Sequence, residues 1–157
     1  MREALRLMVP IVLAAMLNPL NTSLVVTALA PISADLGVAA GDTAVLVAVL
    51  YLASATVQPV AGRLADDFGP RRVMVTGSLV LGLGAAIGWT ATNLAGLVVA
   101  RILIGLGGAG AYPAGMLLIQ RAAHAAGETG PPRGRLAVLN VVGQATVAAG
   151  LPAGGVL

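Results

Sequence analysis

The sequence predicts an all-α membrane protein of five transmembrane helices with a cytoplasmic N-terminus, and three observations carry that reading. Of its 157 residues, 58% are hydrophobic and 10% charged, with a mean hydropathy of +0.95, whereas a soluble domain carries roughly 25% charged residues. The apolar residues gather into runs long enough for the ~20-residue crossing of a bilayer's hydrocarbon core, separated by short polar breaks. Finally, the arginines fall in alternate breaks: Arg2 and Arg6 before the first run, Arg63, Arg71 and Arg72 after the second, Arg121, Arg133 and Arg135 after the fourth. Short cytoplasmic loops are enriched in Lys and Arg, so these residues and the N-terminus are placed on the cytoplasmic side.

The first run, about 5–32, is too long for a cleaved signal and is followed by another apolar run, so it reads as the first transmembrane helix. A break with Asp35 and Asp42 leads to the second, about 43–65. The stretch GRLADDFGPRRV over 62–73 links it to the third, about 72–92. A tight turn around Asn93 opens the fourth, about 94–120, and the Gly/Pro-containing stretch 124–134 precedes the fifth, 135–157. The fifth run has no polar or aromatic anchor on its far side, and five helices cannot form a pseudo-symmetric bundle. A longer parent chain is therefore expected.

Composition also bears on function. With no cysteine there is no disulfide framework or thiolate metal site. The lone His124 lies in a polar break and reads as a solvated loop residue, so no metal and no cofactor are expected. A membrane enzyme needs a nucleophile with a base, or a cluster of His and acidic ligands, in or beside its spans; this chain has neither, and no catalytic residue is expected. The net charge of +3 is split among loops without interleaved aromatics, which points to a lipid bilayer rather than a nucleic acid as partner.

The polar residues inside the spans are the functional candidates. Asn18, Asn21 and Thr22 share one face of the first helix by their i, i+3, i+4 spacing, beside Pro19. In the second helix Tyr51, Ser54 and Gln58 form a similar face. For each residue alone, interhelical hydrogen bonding, worth ~0.6 kcal/mol on average, and substrate contact remain open. As a set they are expected to line a central path, because unpaired polar groups are costly in hydrocarbon. Arg101 lies about seven residues inside the fourth helix, roughly 10 Å deep. No acid in the predicted spans pairs with it, leaving backbone carbonyls, water or a part of the protein beyond these helices. Gly84/Gly88, Ala111/Gly115 and Gly150/Gly154 have the small-xxx-small spacing that lets helices approach closely. The cluster Gly150, Pro152, Gly154 and Gly155 goes further and suggests a bend.

In GRLADDFGPRRV, Asp66 and Asp67 close one helix and Arg71 and Arg72 open the next. Gly69 and Pro70 are expected to fold the break into a tight turn bringing opposite charges near each other. This stretch resembles the cytoplasmic signature of the major facilitator superfamily, and it sits between the second and third helices, where that family has it. NTSLVVTALAPI over 21–32 is similar to the first-helix pattern of the family's drug:proton antiporters. Arg101 with Gly105, Gly107 and Gly108 is similar to its fourth-helix signature, with Ile104 in place of a frequent glutamine, and GLPAGG over 150–155 to its fifth-helix motif.

The resemblance implies most of the N-terminal six-helix half of a secondary transporter of 12 or 14 helices in the cell inner (plasma) membrane. It implies a small-molecule substrate, drug or metabolite export coupled to protons, and C-terminal helices beyond this sequence. Nutrient uptake is the alternative within the family; a truncated structural or regulatory subunit lies outside it. It further implies that Gly62, Asp66, Gly69, Arg71 and Arg72 form a cytoplasmic latch and that Gly150 to Gly155 bend during alternating access. Two departures matter: Asp67 stands where the family has an arginine, and Asn21, which cannot titrate, where the antiporters have an aspartate.

Overall fold

The computed structural model describes residues 2–125 and, beyond them, 134, 137, 141, 142, 144–146 and 148. Among the described residues it is all helix, turn and short connection, without strands. α1 (Arg2–Leu36) runs past the expected 5–32 at both ends, because Asp35 does not stop it; Gly37 does. Gly37 adopts φ 63°, which glycine enters without steric cost. Its N–H donates to Ala34 O and the N–H of Val38 to Ser33 O, so two end carbonyls of the helix are satisfied by a Schellman turn.

α2 (Ala40–Thr43) is a single turn that continues through Ala44 into α3 (Val45–Phe68). Gly69, at φ 89°, ends α3, and Pro70 opens α4 (Pro70–Thr90) with its ring already at a helical φ. The chain extends at Ala91, and Asn93 caps α5 (Leu94–Gly108) by accepting from the N–H of Gly96 at 2.8 Å.

The fourth predicted helix, 94–120, is interrupted. Residues 109 and 110 form a turn between α5 and α6 (Ala111–Ala125). The N–H of Ala109 still bonds Gly105 O and that of Ala114 bonds Gly110 O, each at 3.1 Å, so helical bonding is kept on either side of the interruption. Three stretches are long and apolar enough to cross a membrane, 40–68, 70–90 and 94–125, with a shorter apolar helix over 20–36. The expected fifth helix, 135–157, lies outside the described residues apart from isolated positions.

α5 sits at the centre of the bundle, packed most extensively on α4 and then on α3. Glycines bring α4 and α5 into backbone contact. A Cβ on Gly107 would meet Gly77 O at 2.4 Å, and one on Gly84 would meet Ala100 O at 2.9 Å. On the α3 side a Cβ on Gly105 would meet Leu50 O at 2.6 Å. Hydrocarbon gives no hydrophobic drive between helices, so such close approach supplies the dispersion contact that holds them together. Leu46, Leu50, Ala100, Ile104, Ala114 and Ile119 fill the interior. α4 presents most of its surface outward, with only 6% of its apolar window buried.

Candidate functional site

α5 carries Arg101 into the space between α1 and α3, where only 4% of its surface remains exposed. Its Nε donates to the carbonyl of Leu46 on α3 at 3.1 Å, and its Nη1 donates to Oδ1 of Asn21 on α1. One guanidinium thus ties three helices. Its Nη2 is buried with no hydrogen-bond partner, and among the described residues Arg101 forms no ion pair. Among the described residues the arrangement holds an uncompensated positive charge inside a membrane span, with the planar fork of arginine aimed by two acceptors.

The predicted polar face of the first helix is partly assembled by these contacts. Asn21 is half-buried and bonded to Arg101, and Thr22 and Ser23 are buried beside it. α1 passes through position 18, but the Asn18 side chain lies outside the described residues. The predicted face of the second helix divides. Ser54 is buried and its hydroxyl donates to Gly105 O at 3.1 Å, whereas Tyr51 and Gln58 are exposed and take no part in the Arg101 hydrogen bonds. A helix turns 100° per residue, so residues three and four apart spread across the boundary between the packed and open sides of α3.

The second cluster is the hairpin between α3 and α4. Asp66, Asp67, Phe68, Gly69, Pro70, Arg71 and Arg72 line an open hollow of about 590 Å³ with Leu118 and Arg121 of α6. Gly62 and Asp66 also line a smaller hollow of about 300 Å³ with Pro113, Met116, Leu117 and Gln120. Gly69 makes the expected turn, and it does bring both charge signs to one hollow. The pairing itself is not made: Asp66, Asp67, Arg71 and Arg72 are exposed and form no ion pair among the described residues. Exposed pairs gain only ~0 to 1 kcal/mol while immobilising two side chains, so the hollow leaves them solvated. Gly150, Pro152, Gly154 and Gly155 lie outside the described residues.

Sequence reasoning recognised Arg101 as needing acceptors but did not name Leu46 O or Asn21. That Asn21 supplies one of them follows from the packing of α1 on α5, which hydropathy does not encode. The Gly77–Gly107 crossing also went unpredicted, although Gly77 lies seven residues before Gly84 and so shares its face.

The profile of the Major Facilitator Superfamily matches residues 11–157. The chain is 34% identical over 142 residues to the uncharacterized MFS-type transporter YwoD of Bacillus subtilis, covering 90% of this chain and 30% of that one. It is 33% identical over 150 residues to the puromycin resistance protein pur8 of Streptomyces alboniger, covering 96% of this chain and 29% of that one. To a multidrug resistance protein B homolog of Mycobacterium tuberculosis it is 34% identical over 133 residues, 84% of this chain and 23% of that one. The chain spans less than a third of the length of these relatives. No solved structure matches. A helical, membrane-spanning chain matched by the family profile over residues 11–157 belongs to the Major Facilitator Superfamily.

Proposed function

We propose that the chain forms part of a secondary active transporter that exports drugs or small metabolites across the inner (plasma) membrane, driven by the proton gradient. It acts as a carrier rather than an enzyme. The observation that carries this reading is Arg101, a buried, unneutralised guanidinium held between three helices inside a membrane span. Intramembrane ionisable residues mark substrate and ion pathways, and relatives named for puromycin and multidrug resistance support export as the direction.

Substrate binds near the bilayer midplane, with Asn18, Asn21, Thr22, Tyr51, Gln58 and Arg101 along its path, and two halves of the transporter rock around it. Gly62, Asp66, Gly69, Arg71 and Arg72 act as the cytoplasmic latch, Asp66 docking on helices beyond this chain, and Gly150, Pro152, Gly154 and Gly155 supply the fifth-helix bend. Since Asn21 binds no proton, the coupling acid belongs to those further helices.

The test uses inverted membrane vesicles carrying the protein from its natural reading frame. Export predicts that puromycin or a cationic dye accumulates inside them when their lumen is acidified. Accumulation that ignores the imposed pH gradient overturns proton coupling, and accumulation only in right-side-out vesicles makes the protein an uptake carrier.

A further inference from the structure

Beside the hollow that Arg71 and Arg72 share with Asp66 and Asp67, the same two arginines line, with Val75 and Thr76, an open groove of about 410 Å³. Arg71 and Arg72 are exposed, with no acidic partner among the described residues, and Arg121 joins them at the edge of the neighbouring hollow. Directly along the helix from this charge, Val75, Leu79 and Leu83 are exposed at four-residue spacing and form one apolar strip.

The length of α4 fixes where these features lie. Its 21 residues span about 32 Å, close to the ~30 Å hydrocarbon thickness. The arginine end is therefore at headgroup level while the strip is at acyl-chain depth. Trp89, 91% exposed near the opposite end, stands at the other interface, where tryptophan anchors a span.

We propose that this groove, lined by the apolar stems of Arg71 and Arg72, takes one acyl chain of an anionic phospholipid continuing along Val75, Leu79 and Leu83, with the phosphodiester at the two guanidiniums beyond the rim. Charge complementarity selects the headgroup. Arginine grips a phosphate through its planar fork of donors, and each basic residue near an anionic membrane surface adds attraction that a zwitterionic lipid does not supply. The apolar strip selects a lipid over a free phosphate, because only a ligand with a tail covers both parts of the groove. Arg71 and Arg72 also belong to the proposed latch, so the test reads lipid retention and not transport.

Native mass spectrometry of the purified chain, released from micelles containing equal dioleoylphosphatidylglycerol and dioleoylphosphatidylcholine, tests it. The expected result is at least about tenfold preferential retention of the phosphatidylglycerol, lost in the Arg71→Gln/Arg72→Gln double variant, kept in Arg71→Lys/Arg72→Lys, and unchanged in Arg63→Gln, which lies outside the groove. Millimolar glycerol 3-phosphate should fail to displace the lipid, and dihexanoylphosphatidylglycerol should be retained less than the dioleoyl form. Equal retention of the two dioleoyl lipids by the unmodified chain overturns the proposal without any variant. So does undiminished retention by the double glutamine variant, displacement by glycerol 3-phosphate, or indifference to chain length.

Discussion

Removing the amide of Asn21 tests whether Arg101 is held as described. In the native chain Nη1 donates to Asn21 Oδ1 and Nε to Leu46 O, while Nη2 already lacks a partner. Asn21→Ala leaves two of the three guanidinium nitrogens unsatisfied in a site 4% exposed. A hydrogen bond to a charged group contributes about 1.5–3 kcal/mol, and a buried donor left unmade costs a similar amount. Alanine returns roughly 0.5 kcal/mol as the better helix former, so the expected net loss is about 1–2.5 kcal/mol. In an Arg101→Met background the charge that needs the amide is gone, and the same substitution should be nearly neutral. The coupling in this double-mutant cycle, read from reversible unfolding in mixed detergent–SDS micelles by far-UV circular dichroism, is therefore about 1.5–3 kcal/mol. A cost for Asn21→Ala that agrees within ~0.5 kcal/mol in the two backgrounds is simple additivity and refutes the contact. In transport, the variant should change substrate affinity or selectivity while keeping its dependence on the pH gradient.

Further outcomes follow from the packing and the hairpin. Gly107→Ala places a methyl 2.4 Å from Gly77 O and forces α4 from α5, costing about 1–3 kcal/mol in the same unfolding assay; a neutral result contradicts the close crossing. Gly69→Ala meets nothing within 4 Å, so its cost is the backbone strain of φ 89° alone, about 1–3 kcal/mol, and a stable variant would show that the turn relaxes. Asp66→Asn should impair transport more than Asp67→Asn, because Asp66 is the proposed docking acid; equal, near-normal activity reduces the motif to a topology signal. Tags at the N-terminus and within 124–134 should both be accessible only from the cytoplasm, and labelling of either from outside overturns the arginine-based orientation.

The helices were legible because hydrocarbon tolerates little else. Every apolar run had to satisfy its backbone internally, so run length alone located α3, α4 and α5. Their ends were less legible. Asp35 looked like a break yet remains helical, since α1 ends only where Gly37 can turn left-handed. The interruption at residues 109 and 110 left no trace in hydropathy, because small residues make it and the i to i−4 bonds persist on either side. Arg101 was readable as a residue in need of acceptors. That Asn21, eighty residues away in sequence, supplies one required the packing of α1 on α5. Depth along a helix can be counted from sequence, whereas rotation about its axis is set by neighbours, which is why Tyr51 and Gln58 separate from Ser54.

The hairpin charges carry a further physical implication. Asp66 and Asp67 stand in the last turn of α3, where the helix dipole is negative, and Arg71 and Arg72 in the first turn of α4, where it is positive. Each placement opposes the dipole and costs about 0.3–1 kcal/mol at an exposed terminus. The reversed arrangement would favour both helix ends and keep the same turn, so the stability of these two helices does not account for the order acid, glycine, proline, base. Nor does pairing within the hairpin, since the four side chains form no ion pair among the described residues. In the proposed reading, two requirements external to the hairpin account for it. The expected orientation puts arginines on the cytoplasmic flank of α4, and the proposed latch needs an acid free to leave its neighbours and dock elsewhere. An aspartate committed to a strong pair with Arg71 would have to break that pair at every opening, whereas a solvated one has no such bond to give up. An Asp66 that forms no ion pair among the described residues is consistent with the proposed latch.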